Sequence, residues 1–267
     1  MVKASGIITL MTDFGTADVF VGVMKGVIAR INPPAKVIDL SHEITPFDAI
    51  EAACLLRDAY GFFPEGTVHT VVVDPGVGTP RRIVAMEAGG HLFVAPDTGI
   101  LGPIADRDGC GVLVGVTEGR FFLPAVSGTF HGRDIFAPVA AHLSAGLPLT
   151  ELGPQRESLA RLSLPEPESL TDDRIRGQVL RFDRFGNLIT NIGADQLSGH
   201  RDMTIGVAGR TVRGLRDTFA QANPGELVAY LGSFGALEIA VNRGNARKEL
   251  DAYRGDPVEV TFPEAKQ

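Results

Sequence analysis

A carboxylate at the mouth of a buried strand, with two guanidiniums close behind it, is the pairing in this chain best suited to chemistry. It lies in the segment Val68 to Arg82, VHTVVVDPGVGTPRR. The β-branched run Val68 to Val73 predicts a fully buried strand. The run breaks at Asp74; Pro75-Gly76 turns the backbone, and Gly78 permits a close approach to another group. Arg81 and Arg82 follow within reach of the Asp74 carboxylate. A charged residue at the carboxyl end of a parallel strand stands where open α/β sheets bind ligands. A surface turn with an incidental ion pair accounts for this stretch alone equally well.

Asp13 and Asp97 also follow expected strands directly, so three carboxylates would point into one crevice of a parallel sheet. Asp is common in turns because its side chain bonds the backbone two residues on. Asp97, followed by Thr98-Gly99, fits that reading better than Asp13 or Asp74 does. A second informative stretch, Ser127 to Asp134 (SGTFHGRD), leads into a helix whose N-terminus favours negative charge. Within it, His131 stands next to Gly132 and can be approached closely, although a lone His is more often structural than catalytic. Asp134 reads as a helix cap. In the second half, Asp183, Phe185 and Asn187 alternate within one turn, while Phe219, Ser233, Phe234 and Asn242 fall at strand ends. A rim carrying acid, amide and aromatics suits a flat heterocycle with a polar tail, and plain turn chemistry explains the same residues.

These side chains need elements to hold them. Ile7 to Thr12 is an expected strand, and Val19 to Ile31 carries apolar residues at helical spacing until Asn32-Pro33-Pro34. Val37 to Leu40 is a short strand. A second helix is expected with Thr45 as N-cap, Pro46 at its first position and Gly61 at its end. Leu92 to Ala95 and Val112 to Val116 are further strands, and Asp134 to Ala145 a helix with Pro138 in its first turn. Alternating strands and helices imply an α/β domain over 1–160 with a mainly parallel central sheet, covered on both faces. The stretch 161–173, with Pro165-Glu166-Pro167-Glu168, is an extended linker. From 174 to 267 the period changes to two. Arg176 to Phe182 and Leu188 to Ile192 flank a hairpin turn at 183–187. More strands are expected at Met203 to Val207, Leu227 to Leu231, Leu237 to Val241 and Val258 to Phe262. That half is a smaller all-β, barrel-like domain.

Composition sets outer limits. The chain has 267 residues, ample for one large or two smaller domains, and a net charge of −7 without a basic stripe, which argues against nucleic acid as a partner. No apolar run approaches membrane-spanning length, and Asp13 interrupts the Gly6 to Met11 run too early for a signal peptide. Cys54 and Cys110 lack metal or redox spacing, so a reducing cytoplasm is the expected location. The six histidines form no ligand-spaced pair, and no metal is expected. Gly76-Val77-Gly78 lacks the third glycine and the following helix of a dinucleotide fingerprint, and Ser127 has no nucleophile-elbow context.

With these residues laid out, the chain resembles the S-adenosyl-L-methionine hydroxide adenosyltransferases, hydrolase relatives of fluorinase and chlorinase. The matching segments are TDFG (Thr12 to Gly15), LSHEITPF (Leu40 to Phe47), VVVDPGVGTPRR, APDTGIL (Ala95 to Leu101), TFHGRD (Thr129 to Asp134), FDRFGNLITNI (Phe182 to Ile192) and LEIAVN (Leu237 to Asn242). They run through both halves in order. The resemblance implies the same two-domain fold. It also implies a homotrimer with the ligand between the first domain of one subunit and the second domain of its neighbour. The implied reaction is attack of water or hydroxide on the 5′ carbon of S-adenosyl-L-methionine, releasing adenosine and L-methionine. By the same resemblance the catalytic set is Asp74, Arg81 and His131, with Arg82 the one-residue alternative. Asp13 would hold the ribose hydroxyls, Phe47 would pack near the nucleoside, and Asn187 and Asn242 would lie by the adenine. Asp183 and Ser233 would bind the methionine end, where Phe234 stands in place of the arginine of fluorinase. Halogenating relatives carry tyrosine at the acidic position and lack the histidine, so Asp74 and His131 favour water over halide.

The chemistry is consistent with such a set. A sulfonium leaves without protonation, whereas bulk water, with a pKa of about 15.7, is a poor nucleophile. A site can hold one water in line with the carbon–sulfur bond and strip its other partners. No metal or redox cofactor is implied; S-adenosyl-L-methionine is itself the substrate. Halide transfer and non-catalytic nucleoside sensing are the alternatives.

Overall fold

The computed structural model describes residues 2–197 and 199–263. Two compact units, Met1–Ser163 and Leu164–Gln267, each enclose their own apolar core.

The first unit is built on six strands: β1 (Ile7–Thr12), β2 (Lys36–Ser41), β3 (Val68–Val72), β4 (Ile83–Ala88), β5 (His91–Pro96) and β6 (Leu113–Gly115). Their order in the sheet is β2-β1-β3-β5-β4-β6. The β2, β1, β3 and β5 neighbours run parallel, while β4 pairs antiparallel with both β5 and β6. Four helices cover the sheet: α1 (Phe20–Ile31), α2 (Ala49–Ala59), α3 (Gly102–Asp108) and α4 (Ala137–Ser144). Alternation along the strands decides which face meets which helices. Ile8, Leu10, Val68, Val72, Leu92 and Val94 join Met24 and Ile28 of α1 and Val139 and Leu143 of α4. The opposite face places Met11, Val71, Phe93 and Ala95 against Ala52 and Leu56 of α2 and Ile104 of α3.

Three local readings are corrected. The cap of α2 is Asp48, whose carboxylate accepts from Glu51 N at 2.9 Å; Thr45 lies a turn earlier and donates its own N–H to the Glu51 carboxylate. Phe47, with φ of +66°, reverses the chain between them and keeps Thr45 and Pro46 out of the helix. The expected helix from Asp134 is a π-turn over Gly132–Phe136 followed by α4. Pro138 sits in the first turn of α4 and supplies no N–H to the Asp134 carbonyl. That carbonyl accepts instead from Leu123 N at 2.9 Å. Strand β4 and helix α3 went unrecognised; β4 gives the otherwise parallel sheet its antiparallel edge.

The second unit contains β7 (Glu168–Thr171), β8 (Arg174–Phe182), β9 (Leu188–Gly193), β10 (Thr204–Val207), β11 (Arg210–Arg213), β12 (Leu227–Leu231), β13 (Ala236–Val241) and β14 (Pro257–Thr261), with short helices α5 (Ala194–Leu197) and α6 (Ala246–Glu249). The strands are antiparallel in the order β11-β10-β14-β8-β9-β13-β12, and β7 pairs β8 off this path. Arg216 N donates to the Ala229 carbonyl at 2.8 Å and bridges the two end strands, so the sheet curls into a nearly closed barrel. Ile175, Val179, Leu188, Ile205, Ile239 and Val258 fill its interior. Strand β7 occupies four residues of the stretch read as an extended linker, and β11 was not anticipated.

Candidate active site

Three parallel neighbours, β1, β3 and β5, end side by side, and each is followed by one of the three carboxylates. The three then diverge in role. The Asp97 side chain is buried, pairs with Arg82 at 2.5 Å and accepts from Ala160 N at 2.8 Å. It ties down the chain that leaves the domain, in keeping with its reading as a structural residue. That ion pair also separates the two arginines, because Arg82 is engaged by Asp97.

Arg81 turns the other way. Its Nε donates to Asp74 Oδ2 at 2.8 Å and to Oδ1 at 3.0 Å, and Nη2 closes a second, short contact to Oδ2. Both side chains are nearly buried, which strengthens a forked, charge-assisted pair. Gly76 N donates to Asp74 Oδ1 at 3.2 Å and aims the carboxylate. A Cβ at Gly76 would lie 2.8 Å from Arg81 Cγ, so only glycine leaves the guanidinium its path.

The same Arg81 Nη2 lies 2.7 Å from His131 Nδ1. A guanidinium only donates, so Nδ1 accepts and the neutral ring carries its proton on Nε2. Burial is the largest influence on this imidazole and pushes its pKa below the usual value. The Arg81 charge adds to the lowering; Asp74, a hydrogen bond to the Ser127 backbone and Asp134 oppose it. The set Asp74–Arg81–His131 thus joins residues 57 positions apart in sequence into one chain of hydrogen bonds (131 − 74).

Asp13 accepts from Phe47 N at 2.8 Å, which stabilises the left-handed backbone of Phe47 and brings these two expected residues together. The Phe47 ring is exposed. The Thr12 hydroxyl lies 2.8 Å from Nδ1 of the buried His42, anchoring the TDFG turn from behind. Phe14, Phe20 and Phe130 form an aromatic cluster, with centroid separations of 5.1 to 6.0 Å, beside Gly132. Two further histidines meet in the interior: His69 Nδ1 lies 2.8 Å from the Thr9 hydroxyl, and Nε2 3.2 Å from His91 Nδ1. Burial drives His69 down to about 3, so it is a neutral core residue.

In the barrel unit, a cavity of about 640 Å³ is lined by Phe185, Asn187, Phe219 and Asn242 together with Asn223 and Arg243. Four of the expected residues therefore converge, and the volume suits a small organic ligand. Asp183 builds the turn that presents two of them: Oδ1 accepts from Phe185 N and Asn187 N, both at 2.9 Å, and Oδ2 from Asn187 Nδ2 at 2.7 Å. Gly186, with φ of +86°, lets Asn245 pack against the turn and donate to the Phe185 carbonyl at 3.0 Å. Ser233 and Phe234 lie on the exposed β12–β13 turn, outside that cavity. Sequence reasoning missed Asn223 and Asn245; the Asn223-Pro224 turn dipeptide was the available signal for the first. A larger cleft of about 770 Å³, lined by Arg210, Arg213 and Arg216, shares Asn223 with that cavity and contains none of the site residues expected from the sequence.

A parallel α/β unit with an acid–guanidinium–imidazole set at its strand ends, followed by an antiparallel barrel with an aromatic and amide cavity, defines a two-domain enzyme class. The S-adenosyl-L-methionine hydroxide adenosyltransferase N-terminal domain matches residues 8–153 and its C-terminal domain residues 177–259. The chain belongs to that family. It is 44% identical over 259 residues, 94% of this chain and 97% of the relative, to an (R)-S-adenosyl-L-methionine hydrolase of Thermus thermophilus. A fluorinase of an Actinoplanes species is more distant, 30% identical over 96% of this chain and 97% of its own length. A crystal structure of an uncharacterized conserved protein from Thermotoga maritima superposes with a TM-score of 0.89 at 40% identity, covering 96% of this chain and 99% of that one.

Proposed function

We propose that this enzyme hydrolyses S-adenosyl-L-methionine to adenosine and L-methionine through attack of water on the 5′ carbon. The observation that carries the reading is the Arg81 guanidinium held between the Asp74 carboxylate and the His131 imidazole. A fixed cation beside a water stabilises developing hydroxide character, and the surrounding burial keeps that charge from being screened. Arg81, already protonated, cannot accept a proton, and His131 Nδ1 is occupied, so both act on the nucleophile as oriented dipole and charge, and the proton that the attacking water loses passes to solvent. The positive sulfur leaves as a neutral thioether, which removes any need for an acid, a metal or a redox cofactor. The four named hydrolase relatives, 34 to 44% identical, support the same assignment, and their name specifies the (R) epimer at sulfur.

The test is incubation with each sulfur epimer of the substrate, with chromatography and mass spectrometry of the products. Adenosine and methionine in equal amounts are expected, faster from the (R) epimer. A 5′-halo-5′-deoxyadenosine formed with chloride or fluoride would replace this reading with halide transfer. Tight binding of substrate that remains intact for hours would replace it with a sensor.

A second expectation follows from the lowered imidazole. Protonating His131 places a donor against Arg81 and breaks the contact, so turnover depends on the neutral ring. Because the pKa lies below the ordinary 6.5, activity persists below pH 6.5 and falls only as pH drops through the depressed value. A kcat profile with its acid limb at or above 6.5 would contradict this.

The assembly is proposed to be a homotrimer with each ligand bound between neighbouring subunits, checked by light scattering. No described helix is long and apolar enough to cross a membrane, and we place the enzyme in the cytoplasm, where its substrate is made; fractionation of cells checks this.

A further inference from the structure

The loop carrying His131 is closed by a buried carboxylate with no assigned part in the reaction. Asp134 has no exposed surface. Its Oδ2 accepts from Ser127 N at 2.8 Å, from Ser127 Oγ at 2.7 Å and from Arg133 Nη2 at 3.1 Å, and its Oδ1 accepts from Arg133 Nε at 2.6 Å. Ser127 Oγ in turn accepts from Phe130 N at 3.1 Å, so one hydroxyl links both ends of the loop. The Arg133 guanidinium lies over the Phe130 ring, 5.1 Å from its centroid. His131 sits inside this closed circuit, with its Nδ1 2.7 Å from Arg81 Nη2.

We propose that Ser127 and Asp134 are positioning residues for the hydrolytic site: they close the loop around His131, so that Nδ1 stays unprotonated and faces Arg81. The inference rests on the hydrolase reading for its kinetic consequence, but the tautomer it assigns is a property of the resting protein. The physical reason is selection between two neutral forms of one ring. Arg81 requires a lone pair at Nδ1, which only the Nε2–H tautomer offers. A loop free to shift would turn the ring from Arg81 and release that selection. Two carboxylates therefore frame the array, Asp74 aiming the guanidinium and Asp134 aiming the imidazole.

The experiment uses the full-length protein labelled with 15N-histidine, with His131 signals identified by their loss in His131→Gln. The expected wild-type signature is a pyridine-type Nδ1 and a pyrrole-type Nε2. In Ser127→Ala that signature averages between tautomers. The same variant loses about ten- to a hundredfold in kcat with KM within twofold, and Ser127→Thr, which restores the hydroxyl, recovers most of it. Asp134→Asn repeats the effect if it folds, and Ser127→Ala decides the question if it does not. A Ser127→Ala protein that melts earlier yet keeps both the wild-type kcat and the fixed tautomer would overturn the proposal, leaving the loop a structural staple. If the wild type fails to hydrolyse the substrate, the functional reading falls while the nuclear resonance comparison still judges the positioning role.

Discussion

Asp74→Asn lowers kcat by about a thousandfold while adenosine binding, measured by calorimetry, changes less than threefold. The substitution keeps the shape and removes one of two acceptors. Arg81 Nε donates to both carboxylate oxygens and Nη2 to Oδ2, while Gly76 N donates to Oδ1. An amide accepts with its oxygen alone and turns a donor toward the N–H groups that the other oxygen received. The guanidinium then rotates away from that donor, and its 2.7 Å contact with His131 Nδ1 goes with it. Two of the three members move for a change of one atom type. Breaking a nearly buried pair from one side also leaves Arg81 unneutralised, at a cost in stability of about 3 kcal/mol. Thermal melting reads that loss separately, so the kinetic effect is judged on the folded fraction. Arg81→Lys is expected to be nearly as severe, because an ammonium cannot span both partners with a planar fork. An Asp74→Asn enzyme retaining more than a tenth of the wild-type kcat would remove Asp74 from the mechanism.

What could be read from residue order alone follows from how local each interaction is. The strand ending at Asp74 was legible because five buried β-branched and neighbouring side chains in succession leave few other structures. The choice between Arg81 and Arg82 was not, because it depends on Asp97 capturing Arg82 from the end of β5. That contact spans strands whose pairing no local pattern reveals. His131 looked like an isolated histidine; its partner lies 50 residues away, and the π-turn that follows it has no periodic signature. Strand β4 escaped notice since IVAMEA alternates poorly, being buried on both faces. In the barrel, Phe185 and Asn187 were readable from one turn. Their meeting with Phe219 and Asn242 required the β9-β13-β12 order to be known.

Gly78→Ala is expected to reduce kcat about a hundredfold although residue 78 bears no functional group. Its φ is +78°, and a Cβ there would stand 2.7 Å from the Gly128 carbonyl oxygen. The close approach anticipated for this glycine is thus an approach to the loop of His131. Left-handed backbone costs alanine about 1 kcal/mol, and the methyl must in addition push a main-chain carbonyl aside. The two segments that separate are the ones carrying Arg81 and His131, so displacement by a few tenths of an ångström stretches the contact between them. Effective positioning is steep enough with distance for small misplacement to matter at this scale. Gly109→Ala isolates the cause: with φ of +77° and ψ of 166° it strains an alanine backbone at least as much, but nothing lies within 4 Å of its Cβ. Both variants should melt a few degrees early, and only Gly78→Ala should lose turnover. Equal kcat for the two would show that the loops tolerate separation and that the contact between guanidinium and imidazole does not limit the reaction.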